Sequence, residues 1–102
     1  MAVDNLLVLS GSVTDTPVSR TTPAGIPIMR FYLDHQSEQL EAGHERTVQC
    51  RMRVVVVGKS LNRQMASLRE GDRIKIRGFL SKGGYRSADT RIELHALDIK
   101  SD

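Results

Sequence analysis

Arginine, lysine and tyrosine are the side chains in this sequence whose types and spacing could do chemistry, and the chemistry they suit is the holding of a polyanion. Arg30 and Tyr32 stand two residues apart on one stretch, and Gln49, Arg51 and Arg53 alternate on another. Lys82, Tyr85, Arg86 and Arg91 crowd a segment containing Gly83-Gly84, and Arg20 stands alone upstream. Guanidinium and ammonium groups pair with phosphates, and flat rings offer faces on which bases stack. The cations are unevenly spread. Residues 1–50 hold three Lys or Arg against six acids, whereas residues 51–102 hold twelve against six. Such clustering marks a polyanion site if the charges converge in space, and solvated strand ends if they do not. Arg73, Lys75 and Arg77 alternate regularly and read as a solvated outer strand face.

Other chemistries lack their residues. No Ser or Cys sits in a motif that would expose a nucleophile, and no phosphate-cradling glycine motif precedes a helix. Glu38, Glu41 and Asp72 fall in expected loops or turns. His35, His44 and His95 have no metal-ligand spacing, and Cys50, the one cysteine, completes neither a zinc site nor an internal disulfide. Cys50 falls on an apolar strand face and reads as a small core residue. No enzyme activity and no small-molecule substrate are expected.

The elements that must position these residues are mostly strands. Leu6 to Val13 reads as a first strand with Gly11 inside it, a residue that often marks a bend. Thr22 to Pro27 is a turn. Ile28 to Gln36 sends Met29, Phe31, Leu33 and His35 to one face and Ile28, Arg30, Tyr32 and Asp34 to the other. Ser37 to Glu45 is polar, contains Gly43 and reads as a loop. Thr47 to Val57 alternates, with Val48, Cys50, Met52 and Val54 opposite a basic face. Ser60 can cap a helix carrying Leu61, Met65 and Leu68, and Gly71 stands where it would stop. Asp72 to Leu80 is a fourth strand with Ile74, Ile76 and Gly78 inward. Thr90 to Ile99 is a fifth, whose apolar phase runs Ile92, Leu94, Ala96 and then shifts to Leu97 and Ile99, the signature of a bulge. Phe31 and Phe79 read as packing residues.

These 102 residues allow one domain spanning 1–102. No N-terminal signal pattern and no apolar run of membrane-spanning length is visible, so a cytoplasmic protein without a membrane partner is expected. An all-β order of five strands, with one short helix between the third and fourth, matches the OB-fold, a small Greek-key barrel. An SH3-like barrel shares the strand count but lacks a helix at that place.

A set of short patterns runs through nearly the whole chain: Asn5 with Leu9-Ser10-Gly11, Gly25-Ile26-Pro27, Phe31-x-Leu33-x-His35, Glu41-Ala42-Gly43, Cys50-x-Met52-x-Val54, Arg73-Ile74 with Gly78-Phe79, and Leu94-His95-Ala96. Together, in register, they resemble the primosomal replication protein N (PriB) family. That resemblance implies a homodimeric OB-fold related to single-stranded DNA-binding protein, without a cofactor. It implies a role in restarting stalled replication forks, as a bridge between the helicase PriA, DnaT and single-stranded DNA. The family's basic positions carry over onto Arg20, Arg86 and Arg91. Its stacking tryptophan on the third strand falls at Gln49, a second aromatic falls at His44, and a loop lysine falls at Gly84.

OB-folds usually take their ligand across strands two and three, between the loops after strands one and four. That expectation selects Arg20, Arg30, Tyr32, Gln49, Arg51, Arg53, Lys82, Tyr85, Arg86 and Arg91 as the nucleic-acid-binding set. With no Trp in the chain, binding led by phosphate contacts is expected, with Tyr32 or Tyr85 as substitute platforms. Tyr32 reads equally well as part of a dimer contact. Two other readings stay open: an OB module that binds primosome proteins with little DNA contact, and a general single-strand coating protein.

Overall fold

The computed structural model describes residues 3–84 and 91–102. In chain order the elements are β1 (Leu7–Thr21), β2 (Pro27–Glu41), β3 (His44–Val57), α1 (Lys59–Gln64), β4 (Arg73–Lys82) and β5 (Ile92–Ser101). The strands close into a barrel in the order β1-β2-β3-β5-β4, with β4 returning to β1. Pairing is antiparallel except between β3 and β5, which run parallel through Arg53–Glu93, Val54–Leu94 and Val55–His95. This is the five-stranded OB barrel expected from the sequence, with its helix between the third and fourth strands.

Alternation builds the interior. Met29, Phe31 and Leu33 of β2 meet Val54 and Val56 of β3, Ile74 and Ile76 of β4, and Leu94, Ala96 and Ile99 of β5. Leu33, Ile76 and Leu94 are completely buried, each contributing about 1.5–3 kcal/mol of hydrophobic stabilisation. Leu61, Met65 and Leu68 pack the helical segment against this core. Asn62 fixes it there: its side-chain amide donates to the carbonyls of Gly58, Val56 and Pro27 at 2.7, 2.9 and 3.2 Å. At the other side, the Asn5 amide bonds both ways with the Leu80 backbone, at 2.8 and 2.9 Å, and so lengthens the sheet by one surrogate peptide.

Closure requires two close backbone crossings. A Cβ on Gly11 would collide with the Asp34 carbonyl, and one on Gly78 with the His95 carbonyl. The expected bend in the first strand is therefore a point where β1 presses on β2. The expected bulge in the fifth strand is also present: register slips between Arg77–Asp98 and Gly78–Ala96, leaving Leu97 unpaired.

Several expectations are corrected. Ser37 to Glu45 is not a loop. β2 and β3 continue as a paired ribbon as far as Glu41–His44, turned by Ala42 and Gly43 at φ 52° and 79°. Two consecutive left-handed residues suit the two-residue hairpin turn. The ribbon's outer part is exposed on both sides, so Cys50, at the right phase for the core, is exposed instead. Ser60 does not cap the helix: Gly58 precedes it and no side chain makes a cap bond. The helix ends at Gln64, well before Gly71, whose N–H instead donates to the Val13 carbonyl at 2.7 Å in the turn into β4. Ile92 and Leu97 face outward, whereas Glu93 is buried. Phe79 is only half-buried and stacks on His95 outside the barrel, with centroids 5.0 Å apart.

Candidate nucleic-acid interface

Because Met29, Phe31 and Leu33 point inward, the residues between them point outward together. Along β2 and β3 the outward pairs are Arg30–Val55, Tyr32–Arg53, Asp34–Arg51 and Gln36–Gln49. Arg30, Tyr32, Gln49, Arg51 and Arg53, drawn from two strands far apart in sequence, thus share one face. Lys75 and Arg77 face outward from β4, between β1 and β5, whereas Arg73 lines a second cleft together with Asp34, Gln36, Gln49 and Arg51.

Arg20 joins the ledge by a different route. β1 pairs with β2 up to Thr14–Tyr32, slips, and resumes at Val18–Arg30. Asp15 in this bulge takes φ 61°. The irregularity leaves residues 15–17 without partners on β2, beside a cleft of about 480 Å³ lined by Arg20, Arg30, Arg53, Tyr32, Asp15 and Glu93 among others. A cleft of this size with three guanidinium groups and the exposed Tyr32 ring suits a phosphate-bearing ligand with a flat moiety.

The arginines are not equivalent. Arg51 Nε donates to Asp34 Oδ1 at 2.9 Å, and this hydrogen bond, followed by the carboxylate's charge, raises the Arg51 pKa above its ordinary value. Its guanidinium carbon lies 6.0 Å from the Tyr32 ring centroid, within cation–π range. Arg30 Nε and Arg53 Nη2 each lie 3.4 Å from the same atom, Glu93 Oε2. Arg20 makes no side-chain hydrogen bond or ion pair among the described residues. Gln49 donates to Gln36 Oε1 at 3.2 Å, so a polar amide pair occupies the place where a ring would offer a platform.

The loop after β4 is fixed at its feet. Lys82 pairs with Ile92, and the Gly83 N–H donates to the Arg91 carbonyl at 2.8 Å, bringing Lys82 and Arg91 to opposite sides of the loop's base. Tyr85 and Arg86 lie outside the described residues. Reading the sequence missed the acids: Asp34 and Glu93 hold three of the named arginines. A signal for Glu93 was present, a carboxylate set between the apolar residues Ile92 and Leu94.

Comparison with known proteins gives this geometry a relationship. Residues 5–97 match the model of a family described as "another single-strand binding protein family". The replication restart protein PriB of Yersinia pestis is 40% identical over 100 residues, covering 98% of this chain and 94% of that protein. The chain belongs to the PriB family of single-strand binding proteins. Its PriB relative from Pectobacterium atrosepticum is 41% identical over 100 residues, covering 98% of this chain and 94% of that protein. The solved PriB of Ralstonia solanacearum superposes with a TM-score of 0.81 at 23% identity, covering 97% of this chain and 98% of that one. A Plasmodium falciparum SSB, solved in complex with ssDNA, gives 0.80 at 18% identity, covering all of this chain and 97% of that one. At those identities both likenesses concern the fold. Within the PriB barrel, the resemblance drawn from the sequence finds its parts in place: Gly11 and Gly78 at the crossings, Phe31 and Leu33 in the core, and Ala42-Gly43 at the ribbon's tip.

Proposed function

We propose that this chain binds single-stranded DNA across the outer face of β2 and β3, beside the feet of the loop after β4. It acts without a cofactor or a chemical step. The observation that supports this most is the convergence of Arg20, Arg30, Arg53 and Tyr32 on one cleft, in a chain whose relatives are named replication restart proteins. Cationic walls hold the phosphates, and Tyr32, 38% exposed beside Arg51, offers the ring. Arg51, Lys82, Arg86 and Arg91 extend the cationic track, and Gln49 adds polar contact without stacking. In the cell the protein serves replication restart as a homodimer in the cytoplasm, bridging PriA, DnaT and single-stranded DNA.

Fluorescence anisotropy with labelled oligo-dT at two salt concentrations tests the reading. Affinity should fall steeply with salt, because each phosphate contact releases counterions. No binding at low salt refutes it. A second reading, a protein-interaction module with weak DNA contact, is favoured by Gln49 and by the pairing of Arg30, Arg51 and Arg53 with acids. It predicts weak, salt-insensitive oligonucleotide binding. Light scattering measures the dimer.

A further inference from the structure

Glu93 is the one charged residue among the described residues with its side chain buried, at 3% exposure, yet it belongs to the outer face of the sheet. It lies beside Arg53 in the parallel β3–β5 pairing. The same carboxylate oxygen meets Arg53 from β3 and Arg30 from β2, both at 3.4 Å, while those side chains stay 26% and 47% exposed. The loop after β4 reaches it too: a Cβ on Gly83 would come within 3.2 Å of Glu93 Cγ. One carboxylate therefore joins β2, β3, β5 and the loop's foot at the floor of the cleft. Arg30 uses its Nε for this contact and keeps both terminal nitrogens for another partner, and Arg53 uses only one terminal nitrogen.

We propose that Glu93 is a positioning residue for nucleic-acid binding, which grips Arg30 and Arg53 by one edge and presents their remaining N–H groups to phosphates. This rests on the reading that the cleft binds single-stranded DNA. Guanidinium groups without this anchor would swing among rotamers, and ordering them would fall to the ligand. Two arginines on one acid also leave a single net positive charge there, so the arrangement fixes geometry at the expense of raw attraction.

That trade makes a test with opposite signs. Glu93→Gln keeps the shape and removes one negative charge beneath the site. If the carboxylate only repels DNA, the variant binds tighter and its salt dependence steepens. If it positions the arginines, the variant binds labelled oligo-dT about three- to tenfold more weakly, and the log–log salt slope flattens by about 0.7 for each phosphate left unpaired. Glu93→Asp, which keeps the charge but shortens the reach, falls between the two. A thermal melt accompanies each variant, since a purely structural role lowers the melting point without changing the slope. An arm that needs no variant follows the Arg30 Nε–H resonance in the unaltered protein during titration with oligo-dT. The bond to Glu93 should persist in the complex, and its disappearance there would mean that phosphate displaces the carboxylate, which overturns the proposal. Tighter binding or an unchanged slope in Glu93→Gln also overturns it, while wild-type binding leaves the DNA reading standing. Failure of the wild-type chain to bind at low salt overturns both.

Discussion

Arg20→Ala offers the cleanest perturbation of the cleft. Arg20 is exposed, lines the cleft and holds no acid among the described residues, whereas removing Arg30 or Arg53 would strip a partner from buried Glu93. Leaving that buried carboxylate short of a partner is destabilising, which would confuse stability with binding. Truncating an exposed arginine should move stability by no more than about 0.5 kcal/mol. One exposed cation–phosphate pairing is worth about 1 kcal/mol, or about fivefold in affinity, at about 50 mM salt. For a single strand, one such pairing fewer flattens the log–log salt slope by about 0.7. Over a fourfold rise in salt that amounts to about 2.6-fold, so the penalty should shrink to about twofold near 200 mM. Anisotropy with labelled oligo-dT at the two salt concentrations measures both quantities. A deficit that is the same at both concentrations, or no deficit at all, would mean that phosphates bypass the cleft and that its cations serve another purpose.

The Arg86→Ala, Arg91→Ala double variant should weaken binding and flatten the slope further, and unchanged affinity would place the groove elsewhere. Gln49→Trp should tighten oligonucleotide binding by about tenfold with no change in salt slope, because stacking releases no counterions; its single Trp would also report binding by quenching, since the native chain has none. Gly78→Ala should lower stability by about 3 kcal/mol in urea or thermal unfolding, because its new methyl meets the His95 backbone rather than a yielding side chain. Gly25→Ala, with open space but φ +84°, should cost only about 1 kcal/mol, and the reverse ranking would refute the close-crossing argument.

The barrel was largely legible because its signals are local. Alternation placed Met29, Phe31 and Leu33 inside and Arg30 and Tyr32 outside, and the phase break near Leu97 marked the bulge. The outer part of the ribbon, Ser37 to Glu45, was not legible, for a physical reason. Polar residues such as Ser37, Gln39 and Glu41 suit either a loop or a strand with water on both faces, and cross-strand pairing decides between them. The same extension carries Cys50 past the end of the core, so correct alternation gave a wrong burial. Helix length failed similarly: the apolar spacing of Leu61, Met65 and Leu68 survives in a helix ending at Gln64 followed by turns, because packing needs only the side chains on one side. At the site, strand phase was enough to gather five residues on one face. It could not reveal that Glu93 would sit under two of them, since that depends on the parallel register of β3 and β5, a pairing between segments distant in sequence.

The ledge is graded in charge along its length, and the grading bears on the path of a bound strand. At the barrel end stand Arg30 and Arg53 with Arg20 close by, and next comes Tyr32 with the Asp34–Arg51 pair. Beyond them the pairs become Gln36–Gln49, then Glu38–Thr47, then Leu40–Glu45. The face thus passes from cationic through neutral to acidic as the ribbon leaves the barrel. A ligand with one negative charge per nucleotide is drawn to the first part and repelled by the last, and the separation exceeds a Debye length of about 8 Å, so each end acts on its own. An unpaired strand lying along the ribbon would spend part of its length against carboxylates. One crossing β2 and β3 near the barrel, from the Arg20 cleft toward the loop after β4, meets Arg20, Arg30 and Arg53, which outnumber Asp15 and Glu93 there. The acidic tip, with Leu40 exposed, is then left clear of DNA by the same field that holds the strand at the barrel.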